Sequence, residues 1–150
     1  MKEKNMEIRR QAQLTLIITL ILVSLLGCSQ KTDDLAGTKW ELVSLNGKDL
    51  IEGTTITLEF TEMYLGGQMG CNGYGGSPDI GKYRSKGDGT FALDPPFAVT
   101  VQLCTEPEGI MEQEAEYIEA LMSANYYQIV DDLLEIKNEA GVIIMIFQRR

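Results

Sequence analysis

A glycine-rich stretch around one cysteine is the part of the sequence whose residue types first suggest chemistry. It reads GGQMGCNGYGGSPDIG, from Gly66 to Gly81, with Cys71 in its middle. A phosphate-binding loop needs its glycines to open a helix, and a Walker loop also needs Gly-Lys-Ser/Thr; loop and strand residues follow here instead. A zinc site needs four Cys or His ligands and a cysteine nucleophile needs a histidine base. The chain has no histidine, which disfavours the zinc site and the cysteine nucleophile. The missing helix and the missing Gly-Lys-Ser/Thr disfavour the phosphate-binding loop.

Cys28, near the N-terminus, is the second cysteine with a chemical role to assign. A basic segment precedes an apolar run over residues 14–26, which is shorter than the roughly 20 residues that span a bilayer. This pattern predicts a secretion signal over residues 1–27. The segment Leu25–Cys28, LLGC, resembles the lipobox of bacterial lipoproteins. The resemblance implies cleavage before Cys28 and attachment of lipid, such as palmitate, to its thiol; the alternative is an ordinary signal or anchor with a chance cysteine.

With Cys28 acylated, Cys71 and Cys104 remain. Two cysteines of an exported domain favour a disulfide, because the compartment is oxidising. Such a bond would contribute roughly 3–4 kcal/mol in the chain-entropy model. The surrounding glycines would then permit close strand approach and a bulge beside the bond. The alternative is two free, buried thiols, which behave as small apolar side chains.

The charge of the chain limits its partners. The net charge is −9, and it becomes −11 without residues 1–27, which hold four basic and two acidic residues. Nucleic acid binding needs a basic surface, and no basic cluster remains. Anionic lipid headgroups would also repel this domain, so lipid on Cys28 would have to hold it at the membrane.

Short alternating segments dominate the remaining sequence. TTITLEF places Ile56, Leu58 and Phe60 on one face, and turn signals such as Asn46-Gly47 and the segment 138–141 separate such segments. We therefore predict a mainly β structure with one helix (α+β): a small antiparallel sheet or barrel-like structure with one amphipathic helix packed against it. Residues 37–150 form this domain, and residues 28–36 form a lipid-anchored tether.

One segment has helical spacing. Its apolar residues predict that one face packs on the sheet while Glu112, Glu116 and Glu119 face water; the apolar face comprises Met111, Ala115, Ile118 and Leu121. Thr105 is the predicted N-cap, with Glu108 completing a capping box. The helix should end near residue 124.

The order of these motifs is similar to that of the META/HslJ-like domain over residues 35–147. The most specific piece is Gly-Cys-Asn-x-aromatic-x-Gly, which begins at Gly70 and ends at Gly76. The family often has Thr-Arg-Met before its second cysteine, whereas this chain has Val-Gln-Leu at 101–103. The resemblance implies a small antiparallel β structure with one helix, frequent in bacterial envelope lipoproteins and in some cases linked to heat shock or antibiotic tolerance. It implies no catalytic activity.

These observations predict a non-catalytic envelope domain that binds or stabilises an unknown envelope protein. Its candidate binding surface consists of Asn72, Tyr74, Tyr83 and Arg84. We expect no cofactor, and no metal, because no aspartates have EF-hand spacing. Ser29 after the lipidated cysteine resembles the outer-membrane pattern, so the predicted place is the periplasmic side of the outer membrane in a two-membrane cell, and otherwise the outer face of the cell membrane.

Two alternatives stay open at this point. The first is a carrier of a small ligand in the mouth of a β-barrel. A core filled by large aromatic side chains would argue against it; the candidates are Trp40, Phe60, Phe91, Phe97 and Phe147. The second is an enzyme whose glycosidase-like pair of carboxylates would come from the three on one helix face, Glu112, Glu116 and Glu119.

Overall fold

A computed structural model describes residues 34–150. In chain order the elements are β1 (Lys39–Leu45), β2 (Thr57–Phe60), β3 (Leu65–Gln68), β4 (Gly73–Gly75), β5 (Lys82–Ser85), β6 (Phe91–Asp94), β7 (Ala98–Val99), α1 (Ile110–Met122), β8 (Ala124–Val130), β9 (Leu133–Asn138) and β10 (Ile143–Arg149). The signal peptide and the lipidated Cys28 of the sequence-based prediction lie outside the described residues.

Eight strands form one antiparallel sheet in the order β7-β4-β3-β2-β1-β10-β9-β8, and β5 and β6 form a separate hairpin. The large sheet begins and ends on unclosed edges, at β7 and at β8. The predicted α+β class with one helix is therefore confirmed, in its open-sheet form. α1, the single helix of residues 34–150, is neither long enough nor apolar enough to cross a membrane.

The predicted turns are where the sequence places them. Asn46 and Gly47 both have positive φ, and they reverse the chain directly after β1. Residues 139–142 connect β9 to β10, with Gly141 at positive φ. Ile56, Leu58 and Phe60 are buried, as their alternation predicts.

Large aromatic side chains fill the core. Trp40, Phe60, Phe91 and Phe147 are buried, and the half-buried Phe97 packs against them. Because these rings occupy the interior and the large sheet is open, the described residues form no barrel mouth for a small ligand. The fold therefore gives no support to the carrier alternative.

The folded domain begins earlier than its predicted start at residue 37. Leu35, which is predicted to belong to the tether, is fully buried in the core. Its carbonyl accepts hydrogen bonds from the Thr38 N–H and hydroxyl. Asp34 in turn accepts a hydrogen bond from the Tyr127 hydroxyl of β8.

α1 differs from its prediction in both its start and its orientation. The N-cap is Gly109, with φ of 86°, and no side chain caps the helix, so the capping box at Thr105 and Glu108 is wrong. The buried face is rotated by about one residue from the predicted one. It consists of Ile110, Gln113, Glu114, Tyr117, Ala120 and Leu121. Leu121 is buried as predicted, but Met111 and Ile118 are only half-buried and Ala115 is exposed.

Close backbone contacts account for the glycines around Cys71. A Cβ on Gly67 would lie 2.0 Å from the Thr57 carbonyl oxygen of the neighbouring strand, and one on Gly76 would lie 2.3 Å from that of Ile80. Non-bonded heavy atoms do not approach each other this closely, so any other residue at either position would force the neighbouring main chain away. Gly70, with φ of +112°, has a conformation that residues with a side chain rarely adopt.

Candidate functional site

Two covalently joined segments lie at the β7 edge of the sheet. Cys71, between β3 and β4, and Cys104, after β7, form a disulfide with Cα atoms 6.1 Å apart. The bond holds residues 100–104 beside the glycine-rich loop. The glycine-rich loop therefore packs closely against neighbouring main chain and carries one end of the disulfide.

Asn72 connects the same two segments through its side chain. Its Oδ1 accepts hydrogen bonds from the Gln102 N–H at 2.7 Å and the Thr100 hydroxyl at 3.0 Å. Its Nδ2 donates to the Gln102 carbonyl at 3.1 Å. The buried carboxamide therefore bonds the main chain of Gln102 as the main chain of a neighbouring strand would. It extends the hydrogen bonding at this edge beyond β7.

Glu114 is a buried carboxylate that accepts three further hydrogen bonds from this loop. It accepts from the Cys71 N–H at 2.7 Å, from the Asn72 N–H, and from Asn72 Nδ2 at 2.8 Å. No ion pair within residues 34–150 includes it. Burial of a carboxylate is costly, and several hydrogen-bond donors offset part of that cost.

Sequence reasoning missed both buried polar residues of α1. Gln113 accepts a hydrogen bond from the Ile51 N–H at 2.7 Å and donates to the Thr54 hydroxyl at 2.9 Å. The available signal was positional: Glu114 lies four residues after Ile110 and three before Tyr117, on one helical stripe. A polar residue in phase with two large apolar ones indicates a buried hydrogen-bonding role.

Tyr74 and Tyr117 join β4 to α1 within the core. Their hydroxyl oxygens are 2.5 Å apart, and the Tyr74 hydroxyl also contacts the Thr57 carbonyl oxygen at 2.9 Å. A carbonyl only accepts, so Tyr74 donates to Thr57 and Tyr117 donates to Tyr74. Burial raises the pKa of both hydroxyls well above the usual value. Both therefore stay protonated at neutral pH and act as structural hydrogen-bonding groups.

An apolar groove runs between α1 and the segment that contains β7. Its volume is about 550 Å³, and it is open to solvent. One wall is formed by Met111, Ala115 and Ile118 of α1, and the other by Val99 and Val101. Val101 is 97% exposed, and the neighbouring Leu103 is 84% exposed. Three of the four residues predicted to face the core thus line a groove at the surface, and the fourth, Leu121, is buried.

The residues of the predicted binding surface are not brought together on one surface. Asn72 and Tyr74 are buried in the contacts described above. Tyr83 is also buried: its ring lies 4.9 Å from that of Phe60, and its hydroxyl donates to the Thr61 carbonyl at 2.8 Å. Arg84 is exposed and pairs with Asp94 at 2.6 Å. The groove lies elsewhere, and of these four residues only Asn72 contributes to its lining.

The helix carboxylates considered for catalysis lie in two different places. Glu112 and Glu116 border a cleft with Lys48, whereas Glu119 borders the apolar groove. A hydrogen bond from Asn46 at 2.9 Å, reinforced by Lys48, lowers the pKa of Glu116. A general acid would need a raised pKa. Within residues 34–150, no group of carboxylates and cysteines is arranged to hold a metal ion.

Comparison with known proteins shows the family of the chain and structures with a similar fold. The model of the META domain matches residues 33–150. A solved NMR structure of a protein from Burkholderia xenovorans is similar, with 24% sequence identity and a TM-score of 0.56; the match covers 77% of this chain and 83% of that one. A second NMR structure has 20% identity and a TM-score of 0.56, covering 76% of this chain and 90% of that one. No curated protein matches the chain.

Proposed function

Because the chain belongs to the META domain family, we propose that it is a non-catalytic domain of the bacterial cell envelope, anchored by lipid on Cys28, that binds another envelope protein in the groove between α1 and β7. The residues before the domain support the anchor. A basic segment, a short apolar run and the LLGC motif at Leu25–Cys28 occur in the order that lipoprotein signals have. An export signal also suits a domain that contains a disulfide.

The observation that carries the binding proposal is the exposure of the groove. Val101 and Leu103 are large apolar residues that expose most of their surface. They are only two positions apart in the sequence. Val101 lines the groove together with an apolar stripe of α1, and no other described segment covers that stripe on the open side of the groove. Contiguous exposed apolar surface of this kind commonly marks a site of protein interaction.

The rigidity of the walls also supports a binding role. The disulfide and the Asn72 hydrogen bonds fix the segment 100–104, while Glu114 fixes the helix against the same loop. Preformed walls reduce the entropy that is lost when a partner binds. The buried polar groups of this region are thus assigned to positioning the groove, and none of them is assigned to catalysis.

The anchor is tested with a Cys28→Ala variant and a fatty-acid analogue that labels lipoproteins. The intact protein should incorporate the label and fractionate with membranes, and the variant should do neither. Unchanged labelling and fractionation of the variant would contradict the anchor.

Binding is tested by chemical crosslinking in intact cells, followed by purification of the protein under denaturing conditions. Discrete crosslinked species should form with the wild type and disappear with Val101→Glu, which places a charge in the groove. Val142→Glu is the matched control, because Val142 is also an exposed valine but lies in the connection between β9 and β10. Equal crosslinking of the two variants would contradict the assignment of the groove.

A further inference from the structure

The two edges of the large sheet differ in how they are covered. At the β8 edge, the Tyr127 N–H donates to the Gly89 carbonyl at 2.8 Å, and Thr90 forms a bridge with Tyr126. At the β7 edge, no other described strand pairs on the side away from β4. An uncovered edge strand presents unpaired main-chain donors and acceptors to other chains.

The residues whose main chains point outward from β7 follow from the pairing pattern. Thr100 donates its N–H to the Gly73 carbonyl at 2.9 Å, and Gln102 bonds Asn72 through both its N–H and its carbonyl. Successive residues of a strand direct these groups to opposite sides. The N–H and C=O groups of Val99 and Val101 therefore point away from β4.

The outward main chain and the apolar groove lie next to each other. Val99 is paired with Tyr74, so the two side chains are on one face of the sheet. That face is the one covered by α1, because Tyr74 bonds Tyr117. A strand added beside Val99 and Val101 would place every second side chain towards the helix, against Met111, Ala115 and Ile118.

The surroundings of the groove are acidic. No lysine or arginine occurs from residue 87 to residue 136, a range that supplies β7, the following segment and all of α1. Glu119, an exposed carboxylate of α1, borders the groove itself. A partner with basic residues beside its apolar ones would complement this charge.

We propose that β7 accepts a β-strand from the partner protein: an extended segment with alternating apolar residues and basic flanks, which pairs with Val99 and Val101 while its apolar side chains enter the groove beside α1. The inference rests on the proposed binding function and specifies how the partner is recognised. Main-chain hydrogen bonds supply affinity in this mode, and the groove selects the alternate side chains.

The probe is a fluorescent synthetic peptide, Lys-Lys-Val-Thr-Val-Thr-Val-Lys-Lys, added to the full-length protein in phosphatidylcholine nanodiscs. Fluorescence anisotropy measures affinity, and amide hydrogen exchange locates the site. We expect binding that weakens as salt is added, with slowed exchange in the segment 98–103. A peptide with glutamate in place of lysine, and one with proline in place of the central valine, should both bind at least about tenfold more weakly.

Two variants at one position separate the main-chain contribution from the side-chain contribution. Val101→Pro keeps an apolar side chain but removes the outward N–H, and should weaken binding about tenfold. Val101→Thr keeps the N–H, and should weaken binding by about threefold or less. Val142→Thr is the control and should leave the affinity unchanged.

Several results would overturn strand addition. These are no binding of the lysine peptide, protection outside 98–103, equal binding of the proline peptide, or wild-type affinity of Val101→Pro in a normally folded protein. Self-association through β7 would assign the groove to a second copy, and binding of the probe to empty nanodiscs alone would assign the signal to lipid; both overturn the inference. If the peptide fails while Val101→Glu still abolishes crosslinking in cells, strand addition fails and the proposed function stands. If both fail, both are contradicted.

Discussion

Asn72 and Glu114 form the contact that connects the helix to the wall of the groove. Asn72 Nδ2 donates to Glu114 Oε2 at 2.8 Å, while the Asn72 main-chain N–H donates to the other carboxylate oxygen. The same carboxamide bonds the main chain of Gln102, beyond β7. Two residues far apart in sequence therefore fix the distance between α1 and the segment that faces it.

Glu114→Gln is expected to destabilise the protein by about 1–3 kcal/mol. Glutamine replaces one carboxylate oxygen, which is a hydrogen-bond acceptor, by an NH₂ group, which is a donor. One N–H donor of the loop would then face another donor. Urea unfolding measures the change. Glu112→Gln is the matched control on the exposed face of α1 and should change stability by no more than about 0.5 kcal/mol. Equal effects of the two changes would contradict the role of Glu114.

The disulfide is expected to stabilise the domain without being necessary for its fold. Replacing both Cys71 and Cys104 by alanine should lower the free energy of unfolding by roughly 2–4 kcal/mol, because the unfolded chain loses its crosslink. Mass spectrometry of unreduced peptides from the purified protein should detect the linked pair. Two thiols that react with an alkylating agent in the native protein would contradict the bond.

The orientation of α1 is tested by comparing two truncations. Leu121→Ala should destabilise by about 2–5 kcal/mol, because Leu121 is fully buried. Ile118→Ala should cost distinctly less, since Ile118 is half-buried and one side of it faces the groove. Thermal or urea unfolding gives both values. A larger loss for Ile118 would restore the orientation that the sequence predicts.

The tyrosine pair should make stability fall at alkaline pH. Burial raises the folded-state pKa of Tyr74 and Tyr117, whereas in the unfolded chain the value is about 10. Above that pH the unfolded state loses protons that the folded state keeps. Stability is therefore complete below about pH 10 and then declines, by up to about 1.4 kcal/mol per pH unit for each tyrosine.

Tyr117→Phe isolates one of the two contributions. Unfolding measured from about pH 8 to about pH 11 should show a smaller alkaline slope in this variant than in the wild type. Tyr126→Phe is the control, because Tyr126 is exposed, and it should leave the slope unchanged. A slope that is the same in all three proteins would contradict the buried pair.

Local patterns predict the strands and turns of this fold, because they depend on neighbouring residues. Asn46-Gly47 tolerates positive φ by itself, and the alternation at Ile56, Leu58 and Phe60 requires only one buried face. The existence of a single amphipathic helix follows in the same way. These features were predicted from the sequence alone and are present in the structure.

The orientation of the helix and the site depend on distant residues, and local patterns do not contain that information. Glu114 and Gln113 are buried because main-chain donors at Cys71, Asn72 and Ile51 need acceptors, and these donors are remote in sequence. Because these polar side chains are on the buried face of α1, the apolar stripe of the helix is left to line the groove. Asn72 and Tyr74 are predicted as part of a binding surface, whereas in the structure both are buried and their side chains make internal hydrogen bonds.

The most direct test of the binding groove is residue-specific photo-crosslinking in living cells. A photoreactive amino acid replaces Val101 in one strain and Val142 in another, and adducts are compared after irradiation. If the groove binds a partner protein, position 101 should give a discrete protein adduct that is absent from position 142. Ala115→Gln, which places a larger side chain in the groove, should reduce the adduct. No adduct from position 101, or the same adduct from both positions, would contradict binding in the groove.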